Sequence, residues 1–285
     1  MNKKALACAD DGCAAVSAEI KPLPLPKSCS GVAAQRYSLT AASGWSVTKI
    51  AGGLKQVRTV VWDTEGNMLV LQNTKGASVH TFGADGCVNS TTMLISGGGL
   101  NHGLALSPDG KTLYASSETT VYSWAYDAAT RKTSNQKTVV RGMSTGIHSS
   151  RTVMVVKKDP RFLLVQVGSN SNFDMASAQK STGRAIIKIF DVSKAPATGW
   201  NYNTEGEVFG YGLRNEIGFA EDPAGIVWGV ENSGDVSPPL ALPYHTTLSL
   251  TQNPQDFART ENGQKRDIHT NNPAEKLNNR MPLPS

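Results

Sequence analysis

Four short stretches place chemistry-bearing side chains directly before an apolar alternation. They are Arg58 in LKQVRTVVW, Asn101 and His102 in LNHGLAL, His148 in IHSSRTVMVV, and Arg214 and Asn215 in LRNEIGF. Histidine is the side chain best suited to moving a proton near neutral pH. Arginine offers a fixed fork of donors for an anion or for negative charge that develops during a reaction. A strand end is also polar simply because it leaves the core. Recurrence of such residues at the same point of successive modules favours a shared location.

The modules that must position them are visible in the pattern. Each has a polar entrance, a strand, a tight turn and a second strand. The turns lie at Asp63–Gly66, Pro108–Gly110, Asp159–Arg161 and Asp222–Gly225. Successive turns are roughly 45–65 residues apart, the spacing of four-stranded propeller blades. No helical period of 3.6 fills the gaps, which argues against an α/β crossover fold. The pattern predicts an all-β chain of stacked, blade-like sheets around a channel, with the polar entrances converging at one mouth.

Bulk properties narrow the field. The chain has 285 residues, 39% hydrophobic and 18% charged, with a formal charge of +5. Its basic residues are scattered, with no Lys/Arg run beside aromatics to track a nucleic-acid backbone. No apolar run approaches the ~20 residues of a membrane-spanning helix. The start, MNKKALACADDGCAAVSA, resembles a secretory leader at Lys3 and Lys4. Asp10 and Asp11 then interrupt it before an apolar region develops, so it is not read as a working signal.

Residues 1–44 are rich in Pro, Ala and Ser, and KPLPLPKS reads as an extended linker. The blade-like texture begins at Trp45 and runs to about residue 277. Of the cysteines Cys8, Cys13, Cys29 and Cys87, none has zinc-site spacing with histidines. Cys29 and Cys87 bracket the first strand-rich module, and a bridge between them is plausible in an oxidising compartment. Asn89-Ser90-Thr91 is a glycosylation sequon.

Residues 236–255, VSPPLALPYHTTLSLTQNPQ, hold four of the fourteen prolines and no Asp, Glu, Lys or Arg. Val-Ser at the start suits codons GTN-AGY and Gln at the end suits CAG. The segment therefore reads as a translated, retained intron whose removal joins Gly234-Asp235 to Asp256-Phe257. A Pro-rich surface loop is the alternative. Nothing in the last thirty residues reads as a closing strand, the tail 278–285 ending RMPLPS is out of pattern, and the chain reads as truncated or frameshifted.

The segments GL-x(3)-R-T at Arg58, LNHGLALSPDGKTLY, IHSSRTVMVV, GRAIIKIFDV, GLRNEIGFAEDPAGIVWGVENSGD and DIHTNNPAEKL resemble one family. It is the fungal pyranose dehydrogenases that depend on pyrroloquinoline quinone (PQQ), related to the soluble quinoprotein glucose and sorbosone dehydrogenases. The resemblance implies a six-bladed β-propeller, with about four blades in this chain. It implies PQQ and calcium as cofactors, an extracellular setting, and a pyranose or sorbosone-type sugar as substrate. A cytochrome is the implied acceptor, and neither nucleic acid nor membrane is a partner.

Residue by residue, His148 matches the histidine that takes the sugar hydroxyl proton, and Arg214 the arginine at the quinone oxygen. Asn215 helps hold the cofactor, and Arg58 looks like a second cofactor-binding arginine. Ser233 and Gly234, in the ENSGD loop, are the candidate carbonyl ligands for calcium. Two competing readings stand beside this one. The first is a calcium-dependent lactonase-type propeller, for which Glu118, Asp174, Glu216 and Glu231 are available but form no recognisable cluster. The second is a propeller fragment without enzymatic activity.

Overall fold

The structure is a computed structural model. It describes residues 28–34, 36–37, 39–97, 99–171 and 174–232, and the strand segments 260–261, 264–265 and 275–279. The chain divides into two compact units. One comprises residues 1–52 and 82–88; the other comprises residues 53–81 and 89–285.

In the smaller unit the described residues have no regular element of their own beyond the ends of two strands. Cys29 and Cys87 form a disulfide with Cα atoms 5.6 Å apart. The Lys49 ammonium donates to the carbonyl of Ala33 (2.8 Å), and Val88 N donates to Ile50 O (3.4 Å). Cross-linking residues 58 apart in sequence removes loop entropy from the unfolded chain worth about 4 kcal/mol.

The larger unit is built of antiparallel sheets. The first sheet runs β1 (Val57–Trp62), β2 (Met68–Gln72), β3 (Gly76–Phe82), β4 (Val88–Ser96). The second has β5 (Leu100–Leu106), β6 (Thr112–Ser117), β7 (Thr120–Asp127) and β8 (Lys132–Arg141). The third has β9 (Val153–Val155), β10 (Phe162–Val167) and β11 (Ile186–Asp191). Between β11 and its last strand the chain returns to the second sheet. There β12 (Trp200–Asn201) pairs parallel with β8, before β13 (Glu207–Tyr211) completes the third. The fourth joins β14 (Glu216–Glu221) and β15 (Val227–Asn232). Past the small hairpin β16 (Thr260–Glu261) and β17 (Gln264–Lys265), β18 (Glu275–Asn279) pairs antiparallel with β15, so the last thirty residues do add a strand to the fourth sheet, against the expectation from their sequence.

The four anticipated strand-turn-strand units are the hairpins β1–β2, β5–β6, β9–β10 and β14–β15. An aspartate side chain organises each turn. Asp63 Oδ1 accepts from the backbone N–H of Glu65 and Asn67, and Asp222 Oδ1 from Ala224 and Ile226. Asp109 accepts from Lys111 N and Asp159 from Arg161 N. Such Asx bonds replace ladder bonds that a reversing chain loses.

Side-chain alternation stacks the sheets. In β10, Leu163, Val165 and Val167 pack with Ala105, Tyr114 and Val139 of the second sheet. Leu164 points the other way and packs with Ile187, Leu213 and Val227. In β2, Leu69 and Leu71 pack with Leu104, Leu113 and Trp124. A strand buried on both faces reads as a continuous apolar run, as MLVLQ and FLLVQV do. Among the described residues no helix is long and apolar enough to cross a membrane.

Candidate functional site

The inner strands β1, β5, β9 and β14 line one cleft of about 640 Å³. Thr59, Gly103, Thr152 and Ile217 border it, as do Trp62 and Phe219 further along their strands and Pro108 and Lys157 just past the ends of β5 and β9. The polar residues before each alternation sit at or before the start of these strands; Thr59 and Gly103, next to Arg58 and His102, line the cleft, whereas Arg58, His102, His148, Arg214 and Asn215 are not among its lining residues.

Arg58 is exposed at the start of β1. Its Nε donates to His102 Nδ1 (3.3 Å), and the Thr59 hydroxyl donates to the His102 carbonyl (2.5 Å). On the other side of the ring, His102 Nε2 lies 3.0 Å from the carbonyl of Ile217. A carbonyl can only accept, so Nε2 carries the proton and Nδ1 is the acceptor for Arg58. Burial lowers the pKa of His102; the Ile217 carbonyl opposes this and the Arg58 charge reinforces it. His102 is thus a neutral brace between β1 and β14.

His148 is held differently. Its Nδ1 lies 2.9 Å from the Ser169 carbonyl and 2.8 Å from the Ser169 hydroxyl. That hydroxyl donates onward to Ser171 O (3.0 Å). The same rule places the proton of the neutral ring on Nδ1 and the basic lone pair on Nε2. The backbone carrying His148 wraps around a guanidinium. Arg151, 1% exposed, donates to the carbonyls of Glu118 (2.8 Å), His148 (2.7 Å), Ser150 (2.8 Å) and Ser144. Burial pushes its pKa down to about 10, with the Glu118 charge opposing. Arg151 is visible in the IHSSR motif, but nothing local says that its donors fold back on the preceding loop.

Arg214 and Asn215 precede β14 and are buried, at 4% and 5% exposed. Arg214 N donates to the Glu231 carboxylate, and its Nη1 to Asn232 O (3.2 Å). Asn215 O accepts from Asn232 N (3.0 Å), and its Oδ1 from the Ser150 hydroxyl (3.2 Å). Gln166 ties this point to the His148 loop, its amide accepting from Gly168 N (2.8 Å) and donating to Ser150 O (3.2 Å). Ser169 N donates to Arg214 O (2.8 Å).

Gly168 sits where these segments meet. A Cβ there would lie 2.8 Å from His148 Cβ, 2.9 Å from Arg214 O and 3.0 Å from Asn215 Oδ1. Only glycine lets the three approach so closely. Gly168 and Ser169 were not anticipated; a small residue after a strand is the sole local signal.

Asn101 contributes a further polar group. Its Nδ2 donates to Ser149 O (2.5 Å), while its buried Oδ1 has no hydrogen-bond partner among the described residues. The acidic residues are dispersed. Glu118 Oε1 accepts from Gly146 N (3.2 Å), and Asp174 pairs with Arg184 (2.9 Å). Glu216 and Glu231 are buried cross-strand partners. Among the described residues no three His, Cys, Asp or Glu side chains gather to hold a metal. Ser233 and Gly234, the 236–255 insertion, the Cys8 and Cys13 segment and residues 280–285 lie outside the described residues.

The comparisons agree with this architecture. A pyrroloquinoline quinone-dependent pyranose dehydrogenase of Coprinopsis cinerea is 39% identical over 253 residues, 88% of this chain and 32% of that protein. The solved holo form of the pyranose dehydrogenase PQQ domain from Coprinopsis cinerea superposes with a TM-score of 0.75 at 39% identity. That match covers 88% of this chain and 57% of the solved one. The calcium structure of a Trichoderma reesei family AA12 carbohydrate-active enzyme gives a TM-score of 0.68 at 34% identity, over 84% of this chain and 55% of that one. The chain thus spans about a third of the curated relative and little more than half of each solved domain. A family model described as TrAA12-like matches residues 39–283, and the chain, an all-β protein of propeller type, belongs to that family.

Proposed function

We propose that this chain forms the cofactor- and base-bearing part of a PQQ-dependent sugar oxidoreductase acting on a pyranose or sorbosone-type aldose. The observation that carries the reading is the way Ser169 orients His148 while bonding the backbone of Arg214. The bond ties the backbone that carries the proposed base to the backbone that carries the proposed cation.

The donor set fits an anionic, multi-oxygen cofactor. Arg58 is exposed and has no carboxylate partner among the described residues. PQQ, when bound, supplies an ortho-quinone that accepts a hydride. Arg58 would hold a cofactor carboxylate through its fork, Arg214 would face the quinone oxygen and Asn215 would support both. His148 Nε2 takes the proton of the sugar hydroxyl, and Ser169 stabilises the resulting imidazolium by accepting at Nδ1. Calcium would be held by the carbonyls of Ser233 and Gly234, hard oxygen donors suited to that ion.

A cytochrome is the proposed electron acceptor and the extracellular space the proposed setting, which the Cys29–Cys87 bond supports. The lactonase reading needs acidic metal ligands reaching into the channel, and the described residues supply no such cluster.

The test is to add PQQ and calcium to the purified chain, desalt it, and follow dye reduction with several pyranoses. Retained quinone absorbance and sugar-dependent reduction are expected. His148→Ala should keep the quinone and lose turnover by roughly 10²- to 10⁴-fold. Loss of the absorbance on desalting would instead favour the inactive-fragment reading, and unchanged turnover in His148→Ala would remove the base assignment.

A further inference from the structure

We propose that Asn89 is an N-glycosylation site, taking an oligosaccharide from a lipid-linked diphosphate donor. The inference is independent of the catalytic reading. Three observations converge on it. The first is the sequon Asn89-Ser90-Thr91 itself. The second is its place in the fold. Strand β4 is the outermost strand of the first sheet, and the five residues Asn89 to Met93 are all exposed. A bulky, solvated glycan on Asn89 therefore displaces nothing in the core. The third is the Cys29–Cys87 bond, which closes two residues before Asn89. A buried, well-spaced disulfide marks a chain matured in an oxidising compartment, where N-linked transfer also takes place.

The chemistry balances without a redox partner. The Asn89 side-chain nitrogen forms a bond to the anomeric carbon of the first N-acetylglucosamine. The bond from that carbon to the lipid diphosphate breaks, the diphosphate leaves with the electron pair, and the amide proton passes to the transferase.

The folded structure also fixes the timing. The Thr91 hydroxyl, which the transfer needs, lies 2.9 Å from His80 Nδ1, and the Ser90 hydroxyl lies 2.7 Å from that of Thr81. Both partners are on β3. Transfer therefore precedes the docking of β4 onto β3. Afterwards the glycan shields an edge strand whose unpaired backbone and exposed Met93 would otherwise invite pairing with another chain.

The experiment translates the full chain behind a cleavable secretory leader in the presence of microsomes. The protease-protected product is then treated with peptide N-glycosidase. The expected result is a single enzyme-sensitive upward shift that maps to Asn89 as aspartate after cleavage. It should be absent in Asn89→Gln and in Thr91→Ala, and retained in Thr91→Ser. This readout needs translocation but not folding, so a variant that folds poorly is still informative. The folded chain added to detergent-opened microsomes, where the transferase can reach it, should stay unmodified, and its modification there overturns the timing. A protected wild-type chain with a bare Asn89 overturns the proposal, as does a shift that persists in Asn89→Gln.

Discussion

His148 and Arg214 are joined through one residue. The Ser169 carbonyl receives the His148 Nδ1 proton at 2.9 Å, and the Ser169 N–H donates to the Arg214 carbonyl at 2.8 Å. They lie 66 positions apart along the chain. A single residue sets the tautomer of one and the backbone position of the other.

Gly168 allows that junction. Gly168→Ala would press a methyl group against His148 Cβ, Arg214 O and Asn215 Oδ1. Overpacking of this kind costs about 1–3 kcal/mol. Because two of the three neighbours are backbone or Cβ atoms, the strain should move His148 away from Arg214. The expected outcome is a lower Tm together with a loss of turnover larger than the stability change explains. Thermal unfolding and steady-state kinetics on the same samples check it.

Arg151 acts on His148 through the loop it gathers. In Arg151→Met the carbonyls of Glu118, His148, Ser150 and Ser144 lose their shared donor. Each buried acceptor left unsatisfied costs about 1–3 kcal/mol, less where the loop opens to water. We expect a clear loss of stability, and a fall in kcat with a smaller change in quinone retention. Arg151→Lys should recover part of the stability, because an ammonium reaches some but not all of the four carbonyls.

His102 ties stability to pH. Its folded pKa is depressed below the ordinary 6.5, chiefly by burial. The unfolded chain therefore takes up a proton as pH falls through about 6.5, while the folded chain resists until its own lower value is reached. Stability rises with pH in that window and is lost as pH falls, with a limiting slope of about 1.4 kcal/mol per unit for one group. His80 is lowered by burial in the same direction. His102→Gln should flatten the slope below about pH 6.5, measured by denaturant unfolding at each pH.

The Arg58 fork is predicted to serve the cofactor more than the fold. Arg58 is exposed and bonds only His102 among the described residues. Arg58→Ala should shift Tm little and weaken PQQ binding by roughly 10- to 100-fold, the value of a charge-assisted hydrogen bond of about 1.5–3 kcal/mol. A quinone titration reads this directly.

Breaking the Cys29–Cys87 bond should act on the smaller unit first. Cys29→Ser with Cys87→Ser should lose up to about 4 kcal/mol. Proteolysis should then begin within residues 28–52 before the sheets are cut. Peptide mapping over a digestion time course checks the order.

Much of the fold was legible in the sequence. Hairpins are local: an Asp-initiated turn between two apolar alternations specifies its own pairing. Asp63, Asp109, Asp159 and Asp222 mark the four such turns within a few residues of one another's position in each module. The outer strands β4, β8 and β13 were harder to see, because half-exposed strands such as KTSNQKTVVR carry a weak alternation. The two-residue β12, added to the edge of the second sheet, has no local signal at all.

The candidate site divides along the same line. The residue types at the strand entrances, and hence the available chemistry of Arg58, His148, Arg214 and Asn215, follow from the sequence. How the two histidines differ does not. His102 is made a neutral brace by a carbonyl on β14, and His148 a potential base by a carbonyl at the end of β10. The Ile217 carbonyl reaches His102 only after separate sheets stack, whereas the Ser169 carbonyl reaches His148 across the β9–β10 hairpin of one sheet. Hydrogen bonds between residues 21 and 115 positions apart leave no periodic trace in a sequence, because strand pairing brings the first pair together and the stacking of sheets the second. Tertiary packing therefore decided which imidazole nitrogen carries the proton, and the sequence by itself only that an imidazole would be there.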